Sequence, residues 1–185
     1  MRDSVERSKT RRSGRYASLR FLVVGVVLAG SLYTLIYYPY PPVSLPAEAL
    51  TRYLEFNAAA TASIVSLVED GVRARGTVVW GRFPLRVVLD CAALDAIAVF
   101  AAAVLAFPAP WRKTLTGVVL GASLLVILNL GRLVTLYFAG RADRELFDLL
   151  HEEVFQLVLV AAAVGAFARW TVWVQRREDR ACATS

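Results

Sequence analysis

The sequence predicts an all-α protein: a polytopic membrane helical bundle with about four transmembrane helices, a short extracytoplasmic amphipathic helix and a possible small hairpin. First, 57% of the 185 residues are hydrophobic, which is more than ordinary soluble domains contain. Second, the net charge of +6 comes mostly from the first twenty residues, where seven basic residues accompany two acidic ones. A basic segment before an apolar stretch is the pattern that orients membrane proteins. A lipid bilayer is therefore the expected partner, and nucleic acid is not.

Four apolar segments are candidates for the transmembrane helices. Residues 21–38, 114–138 and 151–173 are apolar, and each is long enough to cross about 30 Å of hydrocarbon at about 1.5 Å per residue. Residues 92–107 are equally apolar but shorter than the usual ~20 residues. No convincing small-x-small cleavage site precedes the PYPP turn after the first segment, so we expect that helix to be retained.

The basic residues predict the orientation. For an even number of spans, the N-terminal arm, the loop containing Arg112 and Lys113, and the C-terminal tail fall on one side, which should be cytoplasmic. Both termini are then cytoplasmic, and the intervening loops face outwards. The chain divides into a basic cytoplasmic arm (1–20), a membrane-embedded domain (21–173, with an outer segment at 39–90) and a cytoplasmic tail (174–185).

The outer segment predicts structure of its own. Within residues 46–70, apolar side chains recur at helical spacing, as in a helix that lies against a membrane or a bundle. Residues 72–90 contain β-branched and aromatic runs, which predict a short hairpin. Pro84 limits the hairpin to an edge strand.

Cys91 lies where the polar outer segment meets the apolar run. Asp90 precedes it, and Asp95 shares its face at helical spacing. A helix N-terminus favours a thiolate, which would make Cys91 a nucleophile. In the alternative interpretation, Cys91 is a small buried hydrophobe and Asp95 a helix-end carboxylate. The second cysteine, Cys182, falls in the cytoplasmic tail, so we expect no disulfide between the two.

Two more polar residues are expected near the outer face. Arg132 lies six residues before Phe138, the predicted end of its helix, on the same face as Gly117 and Gly121. An arginine inside a span costs about 3 kcal/mol or more and is functional by default. Alternatively, it snorkels to the headgroups or forms a structural ion pair. His151, the single histidine, opens the last helix at the same face.

Together these side chains offer one coherent chemistry. A cysteine nucleophile, an imidazole that exchanges protons near neutral pH and a guanidinium that stabilises an oxyanion would support acyl transfer through a thioester. A metal site is poorly supported, because one histidine and one outer cysteine would leave only carboxylates to complete the shell. Redox chemistry lacks a second outer cysteine. We therefore expect no metal and no cofactor.

Four segments between residues 87 and 170 carry a family resemblance: VVLDC before an apolar helix, AVLAFPAPWRKTLTGVVLG, NLGRLVTLYFAG and LFDLLHEEVFQ. In these segments the chain resembles the exosortase/archaeosortase family of membrane cysteine transpeptidases, and it looks most similar to the exosortase H type. The family's catalytic cysteine, arginine and histidine correspond to Cys91, Arg132 and His151. Asn129 matches the asparagine of the family's N-x-x-R segment, and Asp95 and Asp90 are the other expected supporting or substrate-binding residues.

The resemblance implies an activity in the plasma (inner) membrane of a prokaryote. Family members act at the outer membrane face on exported proteins whose C-terminal signal joins a short motif, a transmembrane helix and a basic cluster. By resemblance, Cys91 would attack the peptide bond, Arg132 would steady the oxyanion and His151 would protonate the leaving amine. The acyl-enzyme would pass to an acceptor nucleophile that the sequence does not identify. The chain departs from the family in CAALD, because relatives usually follow the cysteine with Ser-Gly or Asn-Gly.

Two other functions fit the same residues. A non-catalytic membrane scaffold or assembly protein, as a degenerate relative of the family, would use the polar groups as a structural network. A transporter would use Arg132 to bind an anionic solute, although few polar groups line the spans.

Overall fold

The computed structural model describes the backbone of residues 2–183 and the side chains of residues 18–176. The described chain is mostly helical, with one small sheet. The N-terminal arm up to residue 17 and the end of the tail, including Cys182, lie outside the described side chains. In chain order the elements are α1 (Arg2–Tyr37), α2 (Leu45–Val65), β1 (Arg73–Arg75), β2 (Val78–Trp80), β3 (Leu85–Arg86), α3 (Leu94–Ala106), α4 (Trp111–Ala142), α5 (Arg144–Leu149) and α6 (Phe155–Ala183).

Three helical segments are long and apolar enough to cross a membrane: Ser18–Tyr37, Trp111–Ala142 and Arg144–Arg176. They correspond to the first, third and fourth predicted spans. The second predicted span, 92–107, forms only the 13-residue helix α3, whose length of about 20 Å is less than the hydrocarbon thickness. The chain is therefore a mostly helical membrane bundle with three candidate spans, and the count of four stays a prediction.

Helix α3 contacts α1, α4 and α6, so the shortest of the apolar helices packs against all three longer ones. Two glycines of α4 allow close contact with aromatic rings. The Phe100 ring of α3 lies against Gly121, and the Trp170 ring of α6 lies against Gly117, so a methyl group at either glycine would overlap a ring. The Gly-x-x-x-Gly pattern is thus a packing surface, as its small residues suggest.

Helix α2 and the sheet pack against the other end of α4, where Leu133 and Tyr137 join the same buried cluster as Cys91. Ser44 caps α2 by accepting a hydrogen bond from the Ala47 backbone, and Pro46 occupies the first turn. The predicted 46–70 helix is therefore present over Leu45–Val65.

The sheet has three antiparallel strands in the order β1-β2-β3, one more than the predicted hairpin. Gly76 (φ 58°) lies in the tight turn between β1 and β2, where a positive φ favours glycine. Strand β3 follows Pro84 and lies at an edge, as Pro84 predicted.

Glu69 connects the end of α2, the sheet and α4. Its buried carboxylate accepts hydrogen bonds from the Tyr137 hydroxyl (2.9 Å), the Arg141 guanidinium (2.7 Å) and the Arg82 backbone N–H (3.2 Å). Burial opposes its ionisation, but these donors outweigh burial and hold the pKa of Glu69 below its ordinary value. The network anchors the loop between β2 and β3 onto α4.

Candidate active site

Cys91, Arg132 and His151 lie together, with the other two side chains at the two nitrogens of the His151 imidazole ring. The Cys91 Sγ atom is 4.0 Å from His151 Nε2, across sixty residues of sequence. Arg132 Nη2 is 3.2 Å from His151 Nδ1 and 3.2 Å from the His151 carbonyl oxygen. The three residues that the sequence singled out therefore meet, and the histidine ring stands between the thiol and the guanidinium.

Cys91 lies in a turn that precedes α3, and not at the start of the helix as the sequence predicted. A 3-10 turn spans Leu89–Cys91, and α3 begins at Leu94. Between them Ala93 adopts a left-handed conformation with φ 54° and ψ 17°, which breaks the helical register that was expected to align Cys91 with Asp95. This conformation costs an L-residue roughly 1–2 kcal/mol. Ala93 is the second residue after the cysteine, where the resembled family usually has glycine.

The π-helical turn Leu150–Val154 positions His151 between α5 and α6. Such turns are rare and occur often at functional sites. Phe147 of α5 stacks on the imidazole, with ring centroids 5.6 Å apart and planes 24° apart. The stacking of Phe147 on one face and the hydrogen bond at Nδ1 together hold the imidazole ring in one orientation relative to the Cys91 thiol.

The thiol and the guanidinium are both buried, with exposed fractions of 5% for Cys91 and 2% for Arg132. Burial raises the pKa of the Cys91 thiol, the positive charge of Arg132 opposes that rise, and Asp90 adds to it. The resting cysteine is consequently a thiol at neutral pH. The positive charge that favours the thiolate therefore comes from Arg132, and not from a helix N-terminus as the sequence predicted.

The contact with Arg132 selects the histidine tautomer. A guanidinium only donates hydrogen bonds, so Nδ1 of His151 must be the acceptor and must carry no proton. The ring proton of the neutral imidazole is then on Nε2, facing the Cys91 sulfur. In this arrangement His151 can donate to a thiolate but cannot accept the thiol proton. Transfer of that proton requires Arg132 to release Nδ1.

Asn129 lies one helical turn from Arg132 on α4 and is fully buried. Its Nδ2 donates to Asn57 Oδ1 of α2 (3.4 Å). Asn129 Oδ1 and Arg132 Nε have no hydrogen-bond partner within the described part of the chain. Unpaired buried polar atoms are costly, so these two are candidates for contacting substrate or water.

Asp90 and Asp95 meet at one hydroxyl group. Tyr37 of α1 lies 3.0 Å from Asp90 Oδ1 and 3.1 Å from Asp95 Oδ2, so it ties the cysteine turn and the start of α3 to the first helix. The second Asp95 oxygen, Oδ1, is buried without a partner among the described residues. Both carboxylates therefore support the turn that carries Cys91.

Three residues of this site were missed by sequence reasoning: Tyr37, Tyr53 and Asn57. Tyr53 donates its hydroxyl proton to the carbonyl of Ala92, 3.0 Å away, directly after the cysteine. Asn57 receives the hydrogen bond from α4. A signal was present, because Tyr53, Asn57 and Thr61 repeat at a spacing of four on a helix whose same face is otherwise apolar. Polar groups on a buried stripe indicate partners across the interface.

No family model matches the chain, and neither the curated proteins nor the solved structures contain a significant match. The family resemblance accordingly stays a prediction from its motifs.

Proposed function

We propose that the chain is an exosortase-like membrane cysteine transpeptidase or protease, which cleaves a C-terminal sorting signal of exported proteins through a thioester. The observation that carries this proposal is the contact of Cys91 and Arg132 with opposite nitrogens of His151. These are the three residues that the resemblance names as catalytic, and they come from three separate elements of the fold.

The resting tautomer gives Arg132 a gating role in the reaction. The guanidinium contacts both Nδ1 and the carbonyl of His151, and a substrate carbonyl oxygen competes for the same donors. When the guanidinium turns to the substrate, Nδ1 can take up a proton from solvent while Nε2 loses its own. Nε2 then accepts the Cys91 proton, which leaves a thiolate beside an imidazolium.

The acyl transfer follows from that ion pair. The Cys91 sulfur forms a bond to the carbonyl carbon, and Arg132 stabilises the negative oxygen of the tetrahedral intermediate. The C–N bond then breaks as the Nε2 proton of His151 moves to the leaving amine. An acceptor nucleophile attacks the thioester, gives its proton to Nε2 and releases the Cys91 thiolate. If the acceptor is water, the same steps amount to hydrolysis.

The bundle geometry supports an outer-face site. Lys113 donates to the carbonyl of Val174 (3.4 Å), so the start of α4 and the later part of α6 lie at one end of the bundle. That end carries basic residues and should be cytoplasmic. Arg132 lies nineteen residues further along α4 than Lys113, or about 28 Å. The cluster would then lie near the outer surface of a prokaryotic plasma membrane, close to the end of a substrate's own transmembrane helix.

The first test measures ionisation of the cysteine. Membranes carrying the chain with Cys182→Ser are treated from outside with an impermeant alkylating reagent across a pH series, and total thiol is counted after denaturation. The contacts through the His151 ring place the Arg132 charge within about 10 Å of Cys91, which at an effective dielectric constant near 20 is worth about 1.5–2 kcal/mol. In a His151→Gln background, where release of Nδ1 has no effect, Arg132→Gln should thus raise the midpoint of Cys91 alkylation by about one pH unit.

Arg144→Gln is the matched control, because Arg144 is an exposed arginine at the same end of the bundle. It should leave the midpoint unchanged. Equal midpoints with and without Arg132 in the His151→Gln background would remove Arg132 from the environment of the thiol.

A second measurement separates catalysis from a scaffold role. Intact-mass analysis of the chain from cells should find a hydroxylamine-sensitive acyl adduct that is absent in Cys91→Ser. His151→Gln should also abolish the adduct, because Nε2 accepts the Cys91 proton and protonates the leaving amine before the thioester forms. If no variant ever carries such an adduct while the host's own exported proteins are present, the scaffold interpretation is favoured.

A further inference from the structure

A groove lies at the end of the bundle opposite Cys91, between α4 and α6. Its volume is about 560 Å³. The two glycines of α4, with the rings of Phe100 and Trp170 packed against them, form part of its wall. The indole N–H of Trp170 donates to the Lys113 carbonyl (3.1 Å), so the groove lies beside the start of α4. Nothing in the cysteine chemistry uses this part of the fold.

The lining of the groove is apolar apart from Thr116 and two arginines. Arg169 and Arg176 both line it, and none of the described residues that line it is acidic. The two arginines are seven residues apart on α6, or two turns of one face, with Trp173 between them. Both are exposed, and within the described residues neither forms an ion pair. Across the groove, Leu120 and Leu124 of α4 are also exposed.

Arg169 lies inside a candidate span, where an arginine is costly unless an anion or a polar group pairs with it. The neighbouring Trp170 donates a hydrogen bond to the Lys113 carbonyl, so Arg169 lies close to the level of Lys113 in the bundle. That depth corresponds to the border between headgroups and acyl chains, where tryptophan is enriched. An arginine at this depth can reach a phosphate without leaving the apolar wall.

We propose that this groove binds an anionic phospholipid of the cytoplasmic leaflet. Its phosphate would lie between Arg169 and Arg176, where guanidinium groups can form charge-assisted hydrogen bonds with it. One acyl chain would follow Leu120 and Leu124 towards the centre of the bilayer. The site is independent of the proposed transpeptidase activity.

Charge argues against two other occupants. A second copy of the chain, packed symmetrically through this face, would bring the same arginines opposite each other, since a two-fold interface pairs identical surfaces. A substrate helix ending in a basic cluster would meet the arginines with like charge. A phospholipid with a net negative charge supplies the opposite charge and an apolar chain together.

Native mass spectrometry of the full chain in detergent tests the site. The probes are phosphatidylglycerol and phosphatidylcholine with identical acyl chains. We expect phosphatidylglycerol to bind about tenfold more tightly. Arg169→Gln and Arg176→Gln should each weaken its binding about fivefold, as expected for one arginine near an anionic headgroup. Arg169→Lys, which keeps the charge, should lose less.

Arg112→Gln is the matched control, because Arg112 lies at the same end of the bundle, over the Trp111 ring and outside the groove. It should leave lipid binding unchanged. Equal binding of the two lipids overturns the proposal, because the groove would then not recognise a negative charge. An equal loss of phosphatidylglycerol binding in Arg112→Gln overturns it in favour of general surface charge. A dimer peak that is kept or strengthened in Arg169→Gln, without a lipid adduct in the parent, overturns it in favour of a second copy. Each variant is first shown to keep the parent's melting temperature.

Discussion

The left-handed Ala93 makes a quantitative prediction: replacing it with glycine should remove strain from the cysteine turn. Ala93 (φ 54°) and Ala92 (φ −98°) are adjacent and both buried. Ala92→Gly is therefore a matched control, because both substitutions delete one buried methyl group and both add the same conformational freedom to the unfolded chain. The two variants differ in one respect, which is that only Ala93→Gly relieves a positive φ.

The difference between the variants should equal the cost of the left-handed alanine, roughly 1–2 kcal/mol. For a chain of this length each kcal/mol shifts the melting temperature by about 2–4 °C. Ala93→Gly should therefore melt about 2–8 °C higher than Ala92→Gly, measured by circular dichroism of the purified chain in detergent. Equal melting temperatures, or a lower value for Ala93→Gly, would refute the assignment of a strained turn at position 93.

Three further predictions concern packing, the cysteine turn and the Glu69 network. Gly121→Ala should destabilise the chain by about 1–3 kcal/mol because its methyl group would overlap a ring, whereas Gly131→Ala, with open space around it, should be neutral or stabilising in a melting assay. Tyr37→Phe should cost about 1–3 kcal/mol, because the single O–H proton that Tyr37 offers to the Asp90 and Asp95 carboxylates is lost, while Tyr33→Phe, in the neighbouring stacked ring, should cost little. Because the folded-state pKa of Glu69 is lowered, its ionised form stabilises the fold above the unfolded pKa of about 4.3. Glu69→Gln should thus melt at a lower temperature than the parent at pH 7, and the difference between the two melting temperatures should shrink as the pH falls below about 4.

The sequence was most informative where one physical force decides the outcome. Hydrophobic length located the three candidate spans, because a continuous apolar run has few alternatives to a membrane helix. Hydrophobic length decides less for α3, because its 13 residues are compatible with either a short span or a buried helix. Its contacts with three other helices depend on the tertiary structure.

The candidate site was predictable in its residues but not in its hydrogen bonds. Cys91, Arg132 and His151 stood out because each residue type is rare or costly at its position. The left-handed Ala93 could not be foreseen, since alanine favours continuing the helix. Tyr37 and Tyr53 were hidden for another reason: each acts through a contact made at least 39 residues away in sequence. The spacing of residues within one helix does not indicate contacts between residues so far apart in the sequence.

Arg132 has two opposing effects on the same cysteine. Its positive charge lowers the pKa of the Cys91 thiol against the effect of burial, yet its hydrogen bond to Nδ1 holds His151 in the tautomer that cannot take the thiol proton. In the proposed mechanism the resting thiol is protonated and buried, which would limit its reaction with stray electrophiles. A substrate that attracted the guanidinium would reverse only the second effect, because the charge would stay nearby while Nδ1 was released. Nucleophile activation would then depend on a carbonyl oxygen already in place, so chemistry would be coupled to binding of the scissile bond.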